Sequence, residues 1–182
     1  MSAPEHRRRV FFALWPTAAM QEALVAAASK MLGTLSSGRP VPRENLHLTL
    51  AFVGSVPDSS LPALQEIAHA VSGTGSRVEL SFDAIEYWRR SEILCAAANH
   101  APSEAAAFAE ALKQALLSGR FAPDLKPFRA HVTLARQVKR RPAERTLARV
   151  TWSFSDFALI DSRSSPAGSI YSRLASWPLY SA

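Results

Sequence analysis

The sequence predicts a mixed α and β body of two related lobes about a pseudo-twofold axis. Three observations lead to it. Runs rich in β-branched and aromatic residues alternate with helix-period segments along the whole chain. The order strand, helix, strand, helix, strand occupies residues 9–86 and returns, more loosely, in residues 92–161. The middle strand of each half carries a His-x-Thr triplet at the same place, 38 positions from Arg9 to His47 and 39 from Glu92 to His131. Two copies of so long a unit suggest paired lobes rather than an array of short repeats.

Each element has a local reason. Residues 9–15, RVFFALW, form a β-branched and aromatic run that stops at Pro16. Thr17 can cap a helix that places Met20, Leu24, Ala27 and Met31 on one face, with Gly33 just beyond its end. A loop rich in Ser, Gly and Pro leads to the strand LHLTLAFV. Residues Asp58 to Ser60 open a second helix striped by Leu61, Leu64, Ile67 and Val71 and stopped at SGTG. RVELSFDAIEYW and EILCAAA read as strands. Ser103 then begins a helix with Phe108, Leu112 and Leu116 on one face, closed by Gly119. AHVTLARQV is the next strand, PAERTLARV (142–150) a short helix, and TWSFSDFALIDS (151–162) and SIYSRLASWPL (169–179) the final strands.

A chain of 182 residues suits one domain, 1–182, with lobes of roughly 9–86 and 92–176. Its hydrophobic fraction of 48% and charged fraction of 20% describe a globular protein without long polar tracts. The apolar stretch after Arg7 to Arg9 ends at Pro16, too short for a signal-peptide core, and no run reaches transmembrane length, so no membrane partner is expected. The single cysteine, Cys95, excludes an internal disulfide, fits a reducing cytoplasm and reads as a small buried apolar residue. A formal charge of +6 favours an anionic partner without naming one. The basic clusters at Arg7 to Arg9, at Arg89 and Arg90, and at residues 136–145 read equally as solvated surface or as a phosphate-attracting rim.

Side chains alternate across a strand, so His47 and Thr49 project from one face while Leu48 and Leu50 project from the other. His131 and Thr133 stand in the same relation to Val132 and Leu134. If the two strands lie about the pseudo-axis, two imidazoles and two hydroxyls converge on one groove. That set suits a phosphoryl group: one imidazole takes a proton from an attacking water, the opposite one protonates the departing oxygen, and the hydroxyls donate to the non-bridging oxygens. The chemistry requires no metal or other cofactor, and no His-Glu-x-x-His pattern, acidic triplet or cysteine pair accompanies the histidines. A single His-x-Thr is close to chance; two copies at equivalent points of a repeat are not. His6, His69 and His100 read as structural or neutral.

The paired HLTL and HVTL resemble the two signatures of the 2H phosphoesterase superfamily. RVFFAL, NLHLTLAFVG, KPFRAHVTLAR and YSRLASWPL are similar to stretches of its RNA 2′,3′-cyclic phosphodiesterases, long called 2′-5′ RNA ligases. The resemblance implies an α+β fold whose two βα lobes set antiparallel sheets facing across a central cleft. It implies His47 as proton donor to the leaving oxygen, His131 as the proton acceptor that activates water, and Thr49, Thr133 and Arg136 as phosphate-binding residues. Phe12 matches an aromatic near the site that can stack on a base. Ala130 departs from the proline common before the second histidine in relatives. The implied partner is RNA with a 2′,3′-cyclic phosphate end, opened to a 2′-phosphomonoester by a monomer at a rate that rises and falls around neutral pH, with slow 2′-5′ ligation as its reverse. Small cyclic nucleotides or ADP-ribose cyclic phosphate are an alternative substrate class, and a nucleotide- or RNA-binding module without turnover is a second alternative.

Overall fold

The computed structural model describes residues 5–143, 146–166 and 168–180. Strand β1 (Arg7–Leu14) is followed by helix α1 (Ala18–Gly33), the short strand β2 (Arg39–Pro40) and a 3-10 turn at Arg43–Asn45. Strand β3 (Leu48–Pro57) and helix α2 (Leu61–Ser72) come next, then β4 (Val78–Trp88), β5 (Ile93–Ala97) and α3 (Ser103–Ser118). The chain ends with β6 (His131–Arg136), β7 (Thr146–Phe154), β8 (Asp156–Ser165) and β9 (Gly168–Pro178). The strands form two sheets, one ordered β3-β1-β8-β9 and the other β2-β6-β5-β4-β7, and their pairings are antiparallel.

The two sheets do not divide along the two halves of the sequence. The last strands, β8 and β9, join β1 and β3, whereas β2 and β4 from the first half join β5, β6 and β7. The segment 151–162, which reads as one strand, therefore breaks at Ser155. Before it, β7 pairs with β4; after it, β8 pairs with β1. The Ser155 carbonyl at the crossing accepts the Leu179 amide at 2.8 Å. Helices cross as well. α1 follows β1 yet packs on the other sheet, where Trp152 Nε1 of β7 donates to the Met20 carbonyl at 2.9 Å. α3 follows β5 yet packs on the first sheet, with Phe108 edge-on to Phe157 at 5.0 Å. One hydrophobic core runs through both sheets as a result.

The expected helix at 142–150 is not formed: Thr146–Phe154 is a strand, and Glu144 and Arg145 lie outside the described residues. The cause is a bulge. Phe82 pairs with Val150 and Ala84 with Thr146, so β7 carries two more residues than β4 across that stretch. Buried Leu147 and Val150 consequently fall three apart, a spacing that imitates a helix stripe in the sequence. Among the described residues, no helix is long and apolar enough to cross a membrane.

Strand β1 lies inside its sheet and is covered on both faces, with Val10 through Leu14 all buried. Phe12 points into the main core against Phe157 and Trp177, at 6.2 and 6.1 Å. Phe11 points the other way and joins Ala13, Ala158 and Ile160 in a small separate cluster edged by Trp15, Phe52 and Tyr171. That second face is the floor on which the site is built.

Candidate active site

His47 stands one residue ahead of β3, and His131 is the first residue of β6. Their rings are fixed in the same way. His47 Nδ1 donates to the carbonyl of Asn45, and His131 Nδ1 to the carbonyl of Arg129, each at 2.7 Å and each two residues back. A proton committed to Nδ1 leaves the Nε2 lone pair as the basic position of the neutral ring. His47 Nε2 lies 3.2 Å from Thr49 Oγ1, whose hydroxyl donates to it when the ring is neutral. The 3-10 turn at Arg43–Asn45 sets up the first of these bonds and is itself anchored by Asn45 Nδ2, which donates to the Ser169 carbonyl at 2.8 Å.

Aromatic side chains wall both rings. His47 stacks on Trp15, with centroids 5.3 Å apart and planes 4° from parallel, and meets Phe11 at 4.8 Å and the edge of Tyr171 at 5.2 Å. His131 packs against Trp88 at 4.5 Å. Trp88 is held in turn: its Nε1 donates to Glu86 at 2.8 Å, and the Arg129 guanidinium lies 5.3 Å from its ring centroid while pairing with Glu86 at 2.8 Å. Glu86, Arg129 and Trp88 thus form one brace beside His131.

This enclosure favours neutral rings. Burial pushes the His47 imidazole down to about 4; the Asn45 carbonyl opposes the fall, and the positive charges of Arg136 and His131 add to it. Burial also lowers His131, with the Arg129 carbonyl and Glu86 opposing and the Arg129 and Arg136 charges assisting. Cys95, paired in register with Thr133, is fully buried, and burial pushes its thiol up to about 12, which makes it inert as a nucleophile at neutral pH.

Two cavities open on the rings. One, of about 220 Å³, is lined by His47, Thr133, Arg136, Arg39, Asn45 and Tyr171 among others. The second, of about 550 Å³, includes His131, Thr49, Trp88, Phe52, Phe128 and Arg129 in its wall. Each signature therefore gives its histidine to one cavity and its threonine to the other, and the His47 to Thr49 hydrogen bond joins the two. Among the described residues, no group of three or more His, Cys, Asp or Glu side chains is placed to hold a metal ion.

The structure brings His47, Thr133 and Arg136 into one cavity and His131 and Thr49 into its neighbour. Arg136 reaches the site through a second bulge. Five residues after His131, it would project from the opposite face of a regular strand. Leu94 pairs with Ala135 and Cys95 with Thr133, so Leu134 is an extra residue, and Leu134 and Ala135 are both buried before Arg136 emerges exposed. Phe12 requires correction: it is fully buried on the core face of β1 and lines neither cavity, and its neighbour Phe11 is the aromatic that meets His47. Trp15, Tyr171, Trp88, Glu86, Arg129 and Arg39 were not singled out by the sequence reading. Tryptophans at the ends of two predicted strands were the one visible signal, and nothing local tells which side chain they meet.

A family model described as the 2′-5′ RNA ligase superfamily matches residues 16–165. An RNA 2′,3′-cyclic phosphodiesterase of Thermus thermophilus is 30% identical over 183 residues, covering 94% of this chain and 90% of that protein. An RNA 2′,3′-cyclic phosphodiesterase of Escherichia coli is 34% identical over 137 residues, covering 75% of this chain and 74% of its own length. The crystal structure of E. coli LigT complexed with 3′-AMP superposes with a TM-score of 0.87 at 26% identity, covering 96% of this chain and 99% of that one.

Proposed function

The chain belongs to the 2′-5′ RNA ligase superfamily, and from that premise we propose that it is a metal-independent phosphodiesterase that opens the 2′,3′-cyclic phosphate at the end of an RNA to a 2′-phosphomonoester. The observation that carries this reading is the pair of imidazoles, each with Nδ1 tied to the carbonyl two residues back and Nε2 left for proton exchange. Water attacks phosphorus while His131 Nε2 takes its proton. The bond from phosphorus to O3′ breaks, and protonated His47 gives its Nε2 proton to O3′. Thr49, Thr133 and Arg136 hold the non-bridging oxygens, the guanidinium supplying the charge-assisted donors that an anion favours. A 5′-hydroxyl in place of water attacks phosphorus in the same way: P–O5′ forms, P–O3′ breaks with the His47 proton going to O3′, and the product is a 2′-5′ linkage. Both imidazoles come from one chain, so a monomer suffices, and a reducing cytoplasm suits its lone cysteine.

The test is incubation of the purified protein with EDTA and an oligonucleotide ending in a 2′,3′-cyclic phosphate. A 2′-phosphomonoester is expected. Accumulation of the 3′-monoester, or turnover only after metal is restored, overturns the reading.

The pH dependence follows from the environment of His47. Its folded pKa is lowered, so the free protein binds the catalytic proton only below the ordinary histidine value of about 6.5. The profile of kcat/KM, which reports free protein, therefore loses its alkaline limb on the acid side of that value, below the neutral optimum suggested by histidine chemistry alone. A bound phosphate supplies the negative charge that favours the imidazolium, and the alkaline limb of kcat moves to higher pH. Measured profiles of kcat and kcat/KM that coincide, or a kcat/KM limb well above neutrality, contradict this account.

A further inference from the structure

Arg39 and Arg136 sit directly opposite each other where β2 pairs with β6. Both are exposed, and both line the smaller cavity with His47 and Thr133. Among the described residues neither guanidinium has a hydrogen bond or an ion pair. Carboxylates are not lacking nearby: Arg129 takes Glu86 and Lys139 takes Glu92, each at 2.8 Å, so the basic residues on either side of Arg136 in the sequence are neutralised and Arg136 is not.

The juxtaposition is built. Ser37 Oγ accepts the Lys139 amide at 3.0 Å, and the Val41 amide donates to the Leu134 carbonyl at 2.8 Å, which lays residues 37–41 along the edge of β6. Gly38 makes the approach close enough. Its φ is +110°, and a Cβ there would stand 2.8 Å from Val138 Cγ2 and 3.1 Å from the Arg136 carbonyl oxygen. Like charges set directly across an antiparallel pair disfavour each other, and a cleft lined by one sign of charge concentrates the opposite sign. An anion shared by the two side chains resolves the conflict.

We propose that Arg39, across from Arg136, receives a second phosphoryl group of the substrate: the one on the 5′ oxygen of the nucleoside that bears the cyclic phosphate. This deepens the hydrolytic reading above and rests on it. Arg136 lies close enough to His47 to lower its pKa and serves the reacting phosphate; Arg39, one strand further out, serves the next one. The site then selects the 3′ end of an RNA chain over a bare cyclic nucleoside. The same chemistry is offered by a 5′-phosphorylated cyclic mononucleotide, and the experiment separates the two sources.

Three substrates are compared by kcat/KM: a nucleoside 2′,3′-cyclic phosphate, the same compound with a 5′-phosphate, and a dinucleotide ending in the cyclic phosphate. The wild-type protein is expected to prefer the dinucleotide over the bare nucleoside by about tenfold, the usual worth of a charge-assisted contact. Arg39→Gln is expected to bring that ratio close to one. Arg149→Gln, which removes an equal charge from β7 at the opposite edge of the same sheet, keeps it. A wild-type ratio near one, or a ratio unchanged in Arg39→Gln, overturns the proposal. A gain confined to the 5′-phosphorylated mononucleotide assigns the subsite to a terminal phosphate and overturns selection of RNA ends. Calorimetric affinities for a nucleoside 2′,5′-bisphosphate against the 2′-monophosphate read the subsite without turnover. Inactivity on all three substrates would sink the proposed hydrolysis, while the bisphosphate ratio would still decide the role of Arg39.

Discussion

His47→Ala and His131→Ala are each expected to lower the turnover of a cyclic-ended oligonucleotide by about 10² to 10⁴-fold, the range that general acid or base catalysis contributes. The double variant is expected to fall little below the worse single one, because an acid and a base that act in one step are not additive. The two losses differ in their physical origin. His47 is stacked on Trp15 and bonded to Thr49, so its removal opens a gap among rings and takes away the proton proposed for O3′. His131 sits against the brace of Trp88, Glu86 and Arg129, which remains when the ring is gone. Single-turnover rates are the measurement of the effect, and circular dichroism and thermal melting are expected to report an intact fold. Undiminished turnover in either variant ends the two-histidine mechanism.

Phe12→Ala is expected to cost about 3–5 kcal/mol of stability, the usual penalty for emptying a buried aromatic site. Phe12 is fully buried, and it packs on Phe157 and Trp177 beneath the sheet. Urea titration measures the loss, and kcat/KM of the folded fraction is expected to stay near the wild-type value, since no atom of Phe12 lines either cavity. A stable Phe12→Ala protein with a raised KM for one nucleobase would restore the stacking role that its place in the sequence suggests. The opposite is expected of the adjacent Phe11: it meets His47, so substitution there should alter kcat/KM.

The contrast between these neighbours shows where reading from residues stops. VFFAL has no alternation to mark its faces, because β1 is buried on both sides, and a strand of that kind does not reveal which ring meets the ligand. The His-x-Thr pairs were legible because polar residues interrupt apolar runs at a period of two, and their duplication removes chance as an explanation. Arg136 is named through resemblance alone, since strand parity argues against its sharing a cavity with His47 and Thr133 until the bulge at Leu134 is seen. Arg39 gave no signal, being an exposed arginine in a loop rich in Ser, Gly and Pro until Gly38 lays it against β6.

Composition, periodicity and repetition along the chain mark the three long helices, most strands and the two histidines proposed as acid and base, because those depend on side chains a few residues apart. Which strands share a sheet, which cavity each imidazole enters and which arginines meet were settled by pairings between distant segments. β8 and β9 return to β1, and β2 and β4 pass to the other sheet, because backbone hydrogen bonds accept any strand of suitable register. The choice among partners belongs to the packing of the whole core, and no local pattern records it.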